Sequence, residues 1–288
     1  MPREERIRLP SIPLATRVLR SGAGAPVLLL HGSPDSAGEW TAVMEALGDG
    51  GACIAPDLPG LGACDEPPAS FDYSRPALEG FVDAVLAALD VKEPVVLVVH
   101  DVGGVIGLPW AARRPDRVRG IVITNTVVFE GFPWFDVARL WARTDALGRL
   151  RARLLMWALG RGGGSRFRQA FARASPELSP EALDRMTREF ALDPKSKRCT
   201  LRLFRRMVPP AFFAGVDAMR RDLCARLPVR VVWGEGDPFI PARYADAFEG
   251  AEREVIERGG HWVPLSAAQP VAGAIRAVLA GRGRGPAA

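Results

Sequence analysis

Residues Val95-Val96-Leu97-Val98-Val99-His100-Asp101-Val102-Gly103-Gly104 constrain this chain more than any other stretch. Five apolar β-formers in a row read as a strand buried on both faces, as in a parallel sheet. Gly103-Gly104 then open a run with helical spacing through Ile106, Leu108, Trp110 and Ala111. A strand that turns sharply into a helix lifts its apex residue over the C-terminal edge of the sheet, and Asp101 stands at that apex. Taken alone, the ten residues also suit an ordinary turn with Asp101 as helix N-cap. The rest of the chain decides between the two.

Two short alternating pieces, Arg6 to Leu9 and Ala15 to Arg20, predict an antiparallel hairpin at the start. Pro26 to Leu30 is the first strongly apolar strand and ends in His31-Gly32-Ser33-Pro34. Ser36 caps a helix through Trp40, Val43, Met44 and Leu47. Ala52 to Ala55 reads as a strand running into Asp57-Leu58-Pro59-Gly60-Leu61-Gly62. A helix from about Pro76 to Asp90 precedes the central strand, and Val118 to Ile123 follows as another buried one.

The rhythm changes at Thr124-Asn125-Thr126. From 126 to 222 there are only helical periodicities, broken at Gly162-Gly163-Gly164, Ser179-Pro180, Asp193-Pro194 and Pro209-Pro210. Strands resume at Val229 to Trp233 and again at Arg253 to Ile256, with a helix near Pro241 to Phe248 between them. A closing helix is expected over Leu265 to Leu279. Strands alternating with helices predict an α/β fold with a doubly wound, mostly parallel sheet. The core takes 1–124 and 225–280, a helical cap 125–224, and 281–288 reads as a disordered tail.

Composition narrows the function classes. At 48% hydrophobic and 25% charged the chain is of ordinary globular make-up, and no apolar run reaches the ~20 residues that span a bilayer. Met1-Pro2-Arg3-Glu4-Glu5-Arg6 is charged rather than apolar, so a cytoplasmic location with reduced Cys53, Cys64, Cys199 and Cys224 is expected. Three histidines and no C-x-x-C pair offer no zinc pattern, and no Gly-rich dinucleotide or phosphate loop is present, so neither cofactor nor metal is expected. The net charge of +5 comes from arginines spread through the chain, densest between Arg139 and Arg173. Without aromatic–basic recognition motifs they read as a solvated surface, with a bias toward anionic substrates as the weaker reading. Neither nucleic acid nor membrane is expected as a partner, and the oligomeric state is not legible.

Three residues fall at strand C-terminal ends, where α/β sheets place their sites. Asp101 follows one strand, Asp237 a later one in Gly234-Glu235-Gly236-Asp237, and His261 the last in Gly259-Gly260-His261. Asp237 by itself suits a turn, and His261 a loop. Together, in the order nucleophile, acid, histidine, they match the α/β-hydrolase order, with Asp101 on the nucleophile elbow.

On these residues, with His31-Gly32-Ser33-Pro34 and Trp40, and Asp57 to Gly62, the chain resembles the α/β-hydrolase superfamily. Within it, the chain is similar to the aspartate-nucleophile branch of haloalkane dehalogenases and epoxide hydrolases. The resemblance covers the core and only the general helical character of the cap. It implies Asp101 as nucleophile, His261 as base, Asp237 as its orienting acid, and an oxyanion hole from the N–H groups of Ser33 and Val102. A carboxylate attacks sp³ carbon rather than acyl carbon, so the expected reaction makes an alkyl ester that His261-activated water hydrolyses.

The chain departs from that branch where the leaving group is held. Both subfamilies commonly carry Trp after the nucleophile, where this chain has Val102, and many dehalogenases have Asn where it has Ser33. Epoxide hydrolases use cap tyrosines, whereas Tyr73 and Tyr244 both lie outside the cap. Trp134, Trp141 and Trp157 are cap N–H donors or core packing; Trp134 is taken as the leaving-group donor, with Asn125 as a second donor or a strand-end cap, and Trp262 as packing. The expected function is therefore cofactor-free, haloalkane dehalogenase-like hydrolysis of a small, apolar or moderately polar organic substrate, with water as co-substrate. An epoxide hydrolase with an unusual proton donor is the alternative, and a non-catalytic small-molecule receptor on the hydrolase scaffold is the alternative of another class.

Overall fold

The computed structural model describes residues 1–281, so the tail expected from 281 onward lies, but for Gly281, outside the described residues. Eight strands form one sheet: β1 (Arg3–Arg8), β2 (Ala15–Ser21), β3 (Pro26–Leu30), β4 (Ala52–Pro56), β5 (Val95–Asp101), β6 (Val118–Thr126), β7 (Val229–Gly234) and β8 (Glu252–Ile256). Their order is β1-β2-β4-β3-β5-β6-β7-β8. The lead-in hairpin and its join to β4 are antiparallel, and every later pairing is parallel.

Period-2 alternation splits the central strands between two apolar layers. Leu28, Leu30, Leu97, Val99, Ile121 and Ile123 pack on the side of α2 (Arg75–Ala88) and α3 (Val102–Arg113). Val27, Leu29, Val96, Val98 and Val122 pack with Val43, Met44 and Ile275 on the other side. Those last residues belong to α1 (Thr41–Leu47) and to the C-terminal helix over Ala268–Leu279. Both faces of β5 are therefore dry, which is why its run is continuously apolar.

Between β6 and β7 the described residues contain helices and no strand: α4 (Asp136–Trp141), α5 (Ala146–Leu159), α6 (Arg161–Ala174), α7 (Pro180–Met186), α8 (Pro194–Met207) and α9 (Val216–Arg226). Gly162, Gly163 and Gly164 have φ of 58, 66 and 80°, so they turn the chain between α5 and the regular part of α6 in a conformation that side chains resist. This segment is pinned to the sheet's loops. Arg185 on α7 pairs with Asp35 after β3, and Arg17 on β2 reaches Glu189 at 3.0 Å. Lys195 on α8 donates to the carbonyls of Gly62 and Cys64 at 2.6 and 2.7 Å.

Two expectations need correction. The stretch near Pro241 is a short 3-10 turn, Ala242–Ala247, rather than a full helix. The closing helix is two pieces, α10 (Val263–Ser266) and α11 (Ala268–Leu279). Ala267, with φ −136° and ψ 49°, separates them, and Pro270 then sits in the first turn of α11, where its missing N–H costs nothing.

Candidate active site

The β5–α3 junction puts Asp101 at φ 47° and ψ −116°, a region that costs a non-glycine residue about 1–3 kcal/mol. The turn is held from below. Thr126 Oγ1 donates to the Asp101 carbonyl at 2.7 Å, and a register irregularity separates His100 from Asp101 in the β5–β6 ladder. Gly103 lets α3 start this close to β3: a Cβ there would lie 2.0 Å from the Leu30 carbonyl oxygen.

The three sequence-predicted residues meet. The Ser33 N–H donates to Asp101 Oδ1 at 3.0 Å, while Asp101 Oδ2 lies 3.9 Å from His261 Nε2, beyond direct hydrogen-bond range. His261 Nδ1 is 2.8 Å from Asp237 Oδ2. The Asp237 carboxylate also accepts from the N–H groups of Phe239 and Ile240 and from the Asn125 amide, at 2.7, 2.9 and 2.6 Å. Burial pushes Asp237's pKa up. The neighbouring His261, with the Ile240 N–H and the Asn125 amide, more than offsets this and holds it below the ordinary carboxylate value. An ionised carboxylate only accepts, so His261 donates from Nδ1 to Asp237, and Nε2 is the ring nitrogen that faces Asp101.

Asn125 does not line the cavity, which corrects its assignment as a leaving-group donor. Its amide nitrogen is committed to Asp237, and its oxygen accepts the Gly234 N–H at 3.1 Å. Strand-end geometry makes it a clamp on the acid. Val102 is buried away from the cavity, and its N–H makes no hydrogen bond to the Asp101 carboxylate among the described residues. That N–H lies in the first turn of α3, where backbone donors lack intrahelical acceptors.

Over Asp101 and His261 lies a cavity of about 330 Å³ whose surface is almost wholly apolar. Phe135, Phe171, Phe190, Phe204 and Phe239 contribute to it from the helical segment and the loop after β7. Trp134 and Trp141 both line it, packed against Phe204 with ring centroids 6.1 and 5.0 Å apart. The buried Trp141 indole N–H has no partner among the described residues. Trp157 is exposed instead, and Trp262 lines the cavity edge-on to the His261 ring at 4.6 Å. Tyr73 donates to the Pro59 carbonyl and Tyr244 packs on Phe129 and Phe132, so neither tyrosine reaches the cavity. Among the described residues its only titratable groups are Asp101 and His261.

A second buried pair lies beneath, and sequence reasoning missed it. His100 Nδ1 is 3.2 Å from both Glu39 carboxylate oxygens, and its Nε2 is 3.0 Å from the His261 carbonyl. Acceptors face both ring nitrogens, so the geometry calls for an imidazolium. Burial pulls its pKa down, but the Glu39 charge and hydrogen bond, with Asp101 and the His261 carbonyl, raise it to about 9 from 6.5. A histidine inside an apolar strand was the available signal, because a buried imidazole must find partners. Nothing in Gly38-Glu39-Trp40 marked Glu39 as its counterion.

This pair makes stability pH-dependent. A raised folded-state pKa contributes fully below 6.5 and is lost as pH rises through about 9. A shift of this size corresponds to roughly 3 kcal/mol. Urea unfolding at pH 6 and pH 9.5 should show a loss of that order in the native sequence. Glu39→Gln should be less stable at pH 6 and should lose much less between the two. Parallel pH curves for both proteins would mean that His100 is neutral.

Comparison with known proteins agrees with the fold. The α/β hydrolase fold family matches residues 25–268. A cis-3-alkyl-4-alkyloxetan-2-one decarboxylase of Shewanella oneidensis is 41% identical over 112 residues, 38% of this chain and 35% of that protein. A haloalkane dehalogenase of Agrobacterium fabrum is 36% identical over 120 residues, 42% of this chain and 38% of that protein. The chain thus spans less than two fifths of the length of these curated relatives. The solved structure of an epoxide hydrolase without ligand superposes with a TM-score of 0.77 at 20% identity, covering 98% of this chain and 99% of that one, a likeness of fold. With its sheet order, its elbow and a family match over most of its length, this chain belongs to the α/β hydrolase fold family.

Proposed function

We propose that the protein is a hydrolase acting at sp³ carbon with Asp101 as nucleophile, in the manner of a haloalkane dehalogenase. The observation that carries this reading is the cavity's lining. It sets a carboxylate and a histidine among tryptophan and phenylalanine rings, and among the described residues no other acid or base lines it. A halide leaves without needing a proton and accepts N–H hydrogen bonds, whereas an epoxide oxygen needs an acid. Trp134 and Trp141 take the place of the tryptophan that Val102 lacks, within a helical cap over the sheet.

The geometry supports the following steps. Asp101 Oδ2, without a hydrogen bond among the described residues while Oδ1 is held by Ser33, attacks carbon, and the carbon–halogen bond breaks with its electron pair leaving on halide. Water then adds to the ester carbon as His261 Nε2 takes its proton, with Asp237 and Asn125 fixing the ring. The negative charge that develops on Oδ1 rests on the N–H groups of Ser33 and Val102, each worth about 3 kcal/mol in such sites. Collapse expels the alkoxide, which takes the proton from His261. Asp101 is regenerated, and water's second proton leaves with the halide.

A second reading is favoured by the relative that acts on oxetan-2-ones. Opening such a four-membered lactone at its alkyl carbon releases a carboxylate, which also needs no proton. Loss of carbon dioxide as the Asp101 ester departs would give an alkene without using water.

A panel of bromoalkanes, epoxides and dialkyl oxetan-2-ones, scored for halide, diol and alkene, tests both. Halide release supports the first reading, alkene with carbon dioxide the second, and diol formation would overturn both. Tight binding without turnover would make the protein a receptor. Trp134→Phe and Trp141→Phe keep an aromatic six-membered ring and remove the pyrrole edge that carries the N–H, so each should slow alkyl-enzyme formation roughly ten- to hundredfold if that N–H holds the leaving group, the usual worth of a hydrogen bond to a charged partner. An unchanged single-turnover rate in both variants would remove the indoles from the leaving-group site.

A further inference from the structure

We infer that the outer face of α5 docks on a membrane surface carrying anionic lipid headgroups. Leu147, Leu150, Leu154 and Trp157 are 54, 52, 53 and 59% exposed. At ~100° per residue they fall in one stripe, opposite the buried Gly148, Ala152 and Met156. Exposed Arg151 borders the stripe on one side, and exposed Arg149 and Arg153 on the other. The Arg161 guanidinium stacks on Trp157 at 4.6 Å. No acidic residue occurs from Ala146 to Ala174, against arginines at 149, 151, 153, 161, 166, 168 and 173. Among the described residues only Arg168 of these is ion-paired, with Asp184.

An exposed apolar stripe flanked by unpaired arginines is the pattern of a helix that lies in a headgroup layer. Burying leucines and a tryptophan needs an apolar phase, and the arginines need a dense anionic field; an anionic bilayer supplies both. A second copy docking through the same face about a two-fold axis would set arginine against arginine. Nucleic acid would answer the charge but offers no apolar surface to three leucines. The scattered arginines therefore acquire a direction that composition alone did not give them. On the other flank of α5, Leu155 and Leu159 line the cavity, so docking would set an apolar pocket beside an apolar solvent.

The test is co-sedimentation of the full chain with vesicles of phosphatidylcholine alone or mixed equally with phosphatidylglycerol, in low and high salt. The protein should bind the mixed vesicles only, and lose them in high salt. Reversing Arg149 and Arg153 together (Arg149→Glu, Arg153→Glu) should weaken partitioning at least about 20-fold, given roughly fivefold for each arginine near such a surface. Leu150→Ser with Leu154→Ser should weaken it roughly tenfold or more. No sedimentation with mixed vesicles, or sedimentation that ignores the leucines, would overturn the inference. So would a solution dimer that the leucine substitutions dissolve, because the face would then belong to a second copy. None of these four side chains lines the cavity, so turnover of water-soluble substrates should persist in both variants, and docking and chemistry fail or stand separately.

Discussion

Asp101→Asn should reduce turnover by at least about 10⁴-fold while leaving the fold intact, the scale seen when a residue of a catalytic triad is removed. Asn is nearly isosteric, and its amide oxygen still accepts the Ser33 N–H that now binds Asp101 Oδ1. It also tolerates positive φ better than most residues, so the strained turn at φ 47° survives. What it lacks is the anionic oxygen beside His261. A neutral amide is a poor nucleophile at carbon, and the first bond is never made. Single turnover of the native protein in ¹⁸O-water supplies the complementary measurement. Water attacking the ester carbon leaves label in Asp101, and the first product carries the protein's own oxygen. Label in the product with none in Asp101 would make Asp101 a base or an anchor for direct water attack. Appreciable turnover by the folded Asn variant would lead to the same conclusion.

The fold was largely legible because its determinants are local. Continuous apolar strands such as Leu97 to Val99 need two covered faces, and their alternation with helices leaves few topologies. Strand-end positions likewise announced Asp101, Asp237 and His261, since a parallel sheet gathers its C-terminal ends on one edge. Contacts that depend on long-range approach were not legible. Glu39 meets His100 across 61 positions, and Asn125 meets Asp237 across 112. Neither pairing leaves a spacing in the sequence. Helical periodicity also reads the same for a tryptophan that lines a cavity and one that faces solvent. Trp141 therefore looked like Trp157 until helix packing separated them. The arginines of α5 and α6 posed a similar problem, because their count says nothing about which of them surround an exposed leucine.

His261→Gln should divide the reaction in two. Attack of Asp101 on carbon uses no base, so the variant should still release halide, but only one equivalent per molecule. Ester hydrolysis needs a proton acceptor 3.9 Å from Asp101 Oδ2, and Gln supplies none there. Its rate should fall roughly 10³- to 10⁴-fold, leaving a burst followed by a nearly flat phase. Intact-protein mass spectrometry after the burst should show one added alkyl group without its halogen, carried on a peptide containing Asp101. An epoxide would instead add the whole substrate mass, and a lactone that goes on to alkene would leave no lasting adduct. The accompanying structural change should be small. Asp237 loses one of four hydrogen bonds but keeps the N–H groups of Phe239 and Ile240 and the Asn125 amide. The buried carboxylate therefore stays satisfied, and slow hydrolysis cannot be put down to unfolding. A folded His261→Gln protein that shows neither burst nor adduct, with substrates the native protein turns over, would mean that His261 acts before any covalent bond forms. Asp101 would then no longer be the nucleophile, and the two-step scheme would give way to general-base attack by water.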